Sequence, residues 1–144
     1  MPLRLLILGH SRQIYQDQRL KMKSPYKGQT GLKHVWHALF YSMAGLRAAI
    51  QHEDAFRLEL LLACLLIPMA LFLPVGAIGK ALMIASVFLV LIVELINSAI
   101  EAAVDHTSLD QHPLAKRAKD IGSAAVLLSL LNAMTVWLLI LLNR

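Results

Sequence analysis

The chain has 144 residues, of which 58% are hydrophobic and 16% are charged, and its formal net charge is +5. This composition is too apolar for an ordinary soluble domain, and the length leaves room for only one domain. A single cysteine excludes an intrachain disulfide and a cysteine-based metal site.

The first 30 residues are predicted to form a disordered extension, ahead of a membrane-embedded domain at residues 31–144. Arg12–Lys23 is polar and shows no sustained period, and the apolar run Leu3–Leu8 is too short to span a membrane. Met22 resembles a natural protein start, so we expect residues 1–21 to add nothing to the folded domain.

Residues 32–50 predict an amphipathic helix. Lys33, His34, His37, Tyr41 and Gln51 fall on its polar side. Its Trp, Tyr and basic residues are typical of a helix that lies in the membrane interface. Its apolar residues recur at helical spacing on the other face: Leu32, Val35, Trp36, Leu39, Met43, Leu46 and Ile50.

Three apolar segments follow and predict membrane-spanning helices at about residues 55–73, 80–104 and 120–142. A span needs about 20 residues, and only the third segment reaches this length without a charge, at Ile121–Leu142. The first two qualify if their charged ends lie near one membrane face or inside a bundle. His106–Lys119 is predicted to be the loop between the second and third spans. The fold class is therefore an all-α integral membrane bundle.

The basic residues predict the orientation of the chain. Nine lie at or before the start of the first span, and three lie in the second connection, at Lys116, Arg117 and Lys119. The first connection has only Lys80, and the C-terminal tail has only Arg144. By the positive-inside rule, the N-terminus and the second connection face the cytoplasm of a bacterial inner membrane. Nucleic acid is not an expected partner, because the basic residues flank the spans.

An acidic stripe distinguishes the second span. Each central carboxylate in a bilayer costs about 2.5–3.5 kcal/mol by the lower scale, so the stripe should face protein, water or a bound cation. The alternative is a polar seam that holds the bundle together. Five polar residues recur at i, i+3, i+4, i+7 and i+11 on one helix face: Glu94, Asn97, Ser98, Glu101 and Asp105.

The stripe permits two kinds of function. Carboxylate oxygens beside Lys and Arg suit Mg²⁺ with a phosphate, and Glu94 suits a general base acting on an alcohol. Phosphoryl transfer to a lipid and a small cation- or proton-coupled transport subunit both remain open. A purely structural protein does not explain three acids on one intramembrane face. The sequence lacks a P-loop, a His-Glu-x-x-His pair and a Gly-x-Ser-x-Gly elbow.

The stripe also resembles a known family, the bacterial integral-membrane diacylglycerol kinases. The similarity extends from about Gly31 to the end of the third span. Four stretches carry it, in the same order and spacing: Tyr41-Ser-Met-Ala-Gly-Leu-Arg-Ala-Ala49, Glu53-Asp-Ala-Phe-Arg-Leu-Glu59, Glu94-Leu-Ile-Asn-Ser-Ala-Ile-Glu101-Ala-Ala-Val-Asp105 and Ala118-Lys-Asp-Ile-Gly-Ser-Ala-Ala-Val126.

The resemblance implies a homotrimer with active sites between protomers. It also implies transfer of the ATP γ-phosphate to diacylglycerol, which yields phosphatidic acid and requires Mg²⁺. A related group phosphorylates undecaprenol instead, and the Gly-Leu-Arg-Ala-Ala and Gly-Ser-Ala-Ala stretches here look more like the diacylglycerol branch.

Residue roles follow from the same resemblance, position by position. Glu94 is the general base, and Glu53 and Glu101 bind the metal and ATP. Asn97 and Asp105 support the nucleotide site, whose further ATP contacts are Tyr41, Asp110, Gln111, His112, Lys119 and Asp120. The lipid substrate is expected to contact Glu94 together with His34, Arg47, Ala48 and Ser123.

Overall fold

A computed structural model describes residues 32–107 and 112–143, with side chains from Val35 to His106 and from His112 to Asn143. The described residues form four helices and no strand: α1 at Leu32–His52, α2 at Asp54–Phe72, α3 at Ala77–Thr107 and α4 at Pro113–Leu142. The all-α prediction is confirmed, and the predicted extension, residues 1–30, lies outside the described residues.

The chain divides into two units, Met1–Met43 and Ala44–Arg144. In the first unit, the structure describes the beginning of α1, where the Trp36 and Phe40 rings meet edge to face with centroids 5.3 Å apart. Every side chain described in this unit is exposed. An exposed aromatic and aliphatic face is typical of a helix that lies in the membrane interface.

In the second unit, α2, α3 and α4 are each long and apolar enough to cross a membrane. Most of their large apolar side chains are exposed, as with Leu61, Phe72 and Leu128. A water-soluble monomer rarely exposes so much contiguous apolar surface. The chain is therefore a membrane protein, and the three predicted spans are confirmed.

The central helix of this unit is α3, which packs against both α2 and α4. Small residues line the faces that α2 and α4 turn inward, among them Ala63, Ala70, Gly122 and Ser129. Small side chains let helix backbones approach closely in a membrane bundle. The inner part of the polar face of α3, at Glu94, Asn97 and Ser98, is buried in this packing.

Helix α4 begins at Pro113, well before the predicted start near residue 120. His112 caps it, because its Nδ1 accepts a hydrogen bond of 3.2 Å from the backbone N–H of Leu114. Proline suits the first helical position, since its missing N–H would have no partner inside the helix. The connection predicted at His106–Lys119 is therefore much shorter, and Lys119 lies on a helix.

The corner between α1 and α2 sets the position of Glu53. The Arg57 guanidinium donates to the carbonyl oxygens of Ile50 and Gln51 at 3.3 Å each, and it also pairs with the Asp54 carboxylate. These bonds satisfy carbonyl groups that the end of α1 leaves free. Glu53 occupies the N-cap position of α2, and its side chain makes no capping hydrogen bond. Its carboxylate is therefore available for another role.

Candidate active site

The acidic stripe of α3 passes from the protein interior to the surface. Glu94 is 4% exposed, and Asn97 and Ser98 are each 8% exposed. Glu101 is half-buried, and Asp105 is exposed. The inner part of the stripe thus faces neighbouring helices, and its outer end reaches the surface.

Asn97 connects the buried and the half-buried parts of the stripe. Its Nδ2 donates a 3.2 Å hydrogen bond to Oε1 of Glu101, one helical turn away. Within the part of the chain that the structure describes, Asn97 Oδ1 and Ser98 Oγ have no hydrogen-bond partner although both atoms are buried. An unpaired buried acceptor is costly, and such atoms often mark a site that holds a ligand, ion or water.

Carboxylates from two helices gather around Glu94. Glu94 interacts electrostatically with Glu101 on α3 and with Glu53 at the start of α2. Glu59 on α2 interacts with Glu94 in the same way. The ion pairs found among the described residues, Arg57–Asp54 and Lys119–Asp105, engage none of these four carboxylates. Like charges gathered in a partly buried place are unfavourable without a cation, so the cluster is typical of a functional site.

Lys119 brings a positive charge to the outer end of the stripe. Its Nζ lies 3.1 Å and 3.2 Å from Oδ1 and Oδ2 of Asp105, which connects α4 to α3. Both side chains are more than one-third exposed. A lysine held beside a carboxylate cluster is suited to contact a phosphate that binds there.

A family model settles the relationship of the chain. The model for the prokaryotic diacylglycerol kinases matches residues 40–141. The chain belongs to this family. The stretch matched contains α2 and α3 complete and all of α4 except its last residue, together with the acidic cluster. The resemblance found in the sequence is therefore confirmed.

Individual relatives agree with the family model. The chain is 55% identical over 120 residues to a diacylglycerol kinase of Pseudomonas aeruginosa, which covers 83% of this chain and 98% of the relative. It is 47% identical to the diacylglycerol kinase of Escherichia coli K12 over 78% of this chain and 92% of the relative. The diacylglycerol kinase of Haemophilus influenzae is 47% identical over 75% of this chain and 92% of the relative.

The structure brings together several residues that the family resemblance assigned to catalysis. Glu94 interacts electrostatically with both Glu53 and Glu101. Asn97 joins this group through its hydrogen bond to Glu101. The general-base, metal and supporting roles assigned to these residues stay predictions.

Apart from Lys119, the other predicted contacts are exposed, bond within their own helix or lie outside the described residues. Asp110, Gln111 and the side chain of His34 are not described. His112 caps α4, and the Ser123 hydroxyl donates to the carbonyl oxygen of Lys119 in its own helix. The remaining predicted contacts are exposed: Tyr41, Arg47, Ala48 and Asp120. Their assignments to ATP and lipid stay predictions.

Glu59 is a member of the cluster that the sequence reasoning did not assign. Its Oε2 is buried and has no hydrogen-bond partner among the described residues. The helical spacing of residues in α2 offers a signal that Glu59 is buried. Glu59 shares one face of α2 with Phe56, Ala63 and Ala70, which are the buried residues of that helix.

The acidic cluster fits a magnesium ion that arrives with a nucleotide. The described residues contain no group of three or more His, Cys, Asp or Glu side chains placed to hold a metal ion by themselves. Mg²⁺ seldom needs such a cage, because it commonly binds through one or two carboxylates, several waters and substrate phosphates. Glu53 and Glu101 carry carboxylate oxygens that would suit such an ion, and they lie at the start of α2 and on α3.

The Lys119–Asp105 pair leads to a prediction about nucleotide affinity. Lys119→Met should raise KM for ATP by about tenfold or more, because it removes a charge-assisted hydrogen bond to the phosphates. Steady-state kinetics at saturating lipid measure this change. Lys116→Met removes the same charge from an exposed position on α4, and it should raise KM much less. Equal effects of the two substitutions would mean that Lys119 contributes only its general positive charge.

Proposed function

We propose that this protein is a diacylglycerol kinase, which transfers the γ-phosphate of ATP to the free hydroxyl of diacylglycerol and produces phosphatidic acid. The observation that carries the proposal is the partly buried acidic cluster around Glu94, in a chain that is 55% identical to a protein named diacylglycerol kinase. A lipid acceptor agrees with a site carried by helices that cross the membrane.

Glu94 acts as the general base. It takes the proton from the lipid hydroxyl while the hydroxyl oxygen bonds to the γ-phosphorus, and the bond from that phosphorus to the bridging oxygen of ADP breaks. Its burial at 4% exposure limits competition from water. Positioned proton transfer of this kind contributes about 10²–10⁴-fold to rates.

Glu53 and Glu101 would hold Mg²⁺ together with the ATP phosphates. When bound, the ion neutralises phosphate charge during transfer. Asn97 orients the Glu101 carboxylate by a hydrogen bond. Lys119, held beside Asp105, approaches the phosphates from α4. No P-loop is needed for these contacts, because carboxylates and a lysine supply the positioning.

The remaining residues complete the two substrate sites. Tyr41, Asp110, Gln111, His112 and Asp120 contact ATP, and Asp105 supports that site. His34, Arg47, Ala48 and Ser123 hold the lipid. The working form is a homotrimer in the bacterial inner membrane with the N-terminus in the cytoplasm. The excess of Lys and Arg before α2 and in the first turns of α4 supports this orientation.

An acceptor assay tests the proposed substrate. The purified protein in lipid bilayers receives labelled ATP and either diacylglycerol or undecaprenol, at equal mole fraction. We expect label in phosphatidic acid at a rate well above that for undecaprenol. Faster labelling of undecaprenol would assign the chain to the related undecaprenol kinases. Label in neither lipid would contradict a kinase and favour a transport subunit built on the same carboxylates.

A further inference from the structure

At Gly122, the backbone of α4 packs directly against the side chain of Asn97. Gly122 is buried. A methyl group at this position would overlap Asn97 Oδ1 and lie 3.3 Å from Asn97 Cγ. Any residue other than glycine would therefore push the Asn97 amide out of its present position.

The amide has little room to move elsewhere. Asn97 is 8% exposed, and its Nδ2 donates to Oε1 of Glu101 at 3.2 Å. A carboxylate only accepts hydrogen bonds, so the NH₂ end must face Glu101 and the oxygen end must face Gly122. Oδ1 has no conventional donor among the described residues. The glycine Cα–H group facing it offers at most a weak hydrogen bond.

We propose that Gly122 is a positioning residue for the metal site. It leaves room for the Asn97 amide in the one orientation that holds the Glu101 carboxylate in place. The proposal rests on the proposed role of Glu101 as a metal carboxylate. Hydrogen-bond partners of metal ligands typically contribute about 10–100-fold to metal affinity. A methyl group at Gly122 rotates the amide and removes its bond to Glu101.

Close packing at the α3–α4 interface would not by itself rotate the Asn97 amide, and Gly79 offers a matched control. Gly79 lies on α3 at the other end of the same helix pair. A methyl group there would lie 3.4 Å from Ile140 Cγ2 on α4 and 3.7 Å from Val75, which is ordinary contact. Gly79→Ala therefore adds the same methyl group to the α3–α4 interface without displacing a polar side chain.

The test measures metal binding directly, without turnover. Mn²⁺ is titrated into each purified variant in bilayers with a non-hydrolysable ATP analogue, and free Mn²⁺ is counted by electron paramagnetic resonance. Gly122→Ala should weaken Mn²⁺ binding by about tenfold or more, and Gly79→Ala should leave it unchanged. The side-chain amide signal of Asn97 in an NMR spectrum should shift in Gly122→Ala only. Wild-type Mn²⁺ affinity in Gly122→Ala, or equal losses in both variants, would overturn the proposal.

A double variant tests whether Gly122→Ala weakens Mn²⁺ binding through Asn97 or independently of it. Asn97→Ala removes the side chain that the new methyl group would meet, so adding Gly122→Ala should cause no further loss of Mn²⁺ affinity. Independent, additive losses would overturn the proposal. If Gly122→Ala alone does not fold, the double variant should fold, and its failure to do so would also contradict the proposed contact.

Glu101→Gln shows whether a failure lies in the role of Gly122 or in the metal assignment on which that role rests. If Glu101→Gln binds Mn²⁺ as tightly as wild type, the metal assignment of Glu101 is wrong, and both proposals fail at that point. If Glu101→Gln loses Mn²⁺ while Gly122→Ala retains it, the metal assignment stands and only the role of Gly122 is wrong.

Discussion

Replacing Glu94 with Gln is expected to lower kcat by about 10²-fold or more, which is the usual scale for the loss of a general base. Glutamine has nearly the shape of glutamate, so the buried position at 4% exposure should accept it without loss of folding. The amide cannot take the proton of the lipid hydroxyl. Initial rates of phosphatidic acid formation at saturating ATP and lipid measure the effect.

The comparison of kcat with KM makes this result specific. A base that acts only in the transition state should change kcat with little change in KM for ATP. Asp54→Asn is a suitable control, because it makes the same kind of change at an exposed ion pair at the start of α2, where such pairs contribute little. A kcat near the wild-type value in Glu94→Gln would remove Glu94 from the role of base.

Changing Glu53 or Glu101 to Gln is expected to raise the Mg²⁺ concentration needed for half-maximal rate by at least about tenfold and to lower the maximal rate as well. The two carboxylates come from different helices, and each supplies oxygen that a neutral amide replaces poorly. Titration of Mg²⁺ at saturating ATP and lipid measures both quantities in one experiment.

Glu101→Gln should be the more severe of the two substitutions. Besides losing a charge, it disturbs the hydrogen bond that Asn97 Nδ2 donates to Glu101. Glu53 makes no capping hydrogen bond, so its substitution should leave the start of α2 intact. If either variant changed only the affinity for lipid and left the Mg²⁺ titration unaltered, that residue would need another role.

Much of the fold could be predicted from the sequence because membrane helices are specified locally. Apolar runs of sufficient length predict spans, and the recurrence of Glu94, Asn97 and Glu101 at helical spacing predicts one polar face. The early start of α4 depends on its N-cap, in which the backbone N–H of Leu114 donates a hydrogen bond to Nδ1 of His112. His112 and Pro113 are signals for a helix start, but the polar stretch around them predicts a loop.

The site was predictable in its composition but not in its contacts. Asn97 meets Gly122 and Asp105 meets Lys119 across two helices. Such contacts depend on how helices pack, which spacing within one helix cannot show. Glu59 was missed for a related reason, since a charge near the end of a span looks interfacial until its neighbour in space is known. The separate roles of the carboxylates came from family resemblance, because carboxylates in one stripe look alike in spacing alone.

The central claim is that the acidic cluster around Glu94 is a site of phosphoryl transfer to diacylglycerol. Its most direct test is a comparison of two labelled nucleotides. Wild type and Glu94→Gln in bilayers that contain diacylglycerol are incubated with ATP labelled at either the γ- or the α-phosphate, with Mg²⁺. We predict label in phosphatidic acid from γ-labelled ATP only, and at least about 10²-fold less of it with Glu94→Gln. Label from the α-phosphate, no labelled lipid with wild type, or equal labelling by the two proteins would contradict the account.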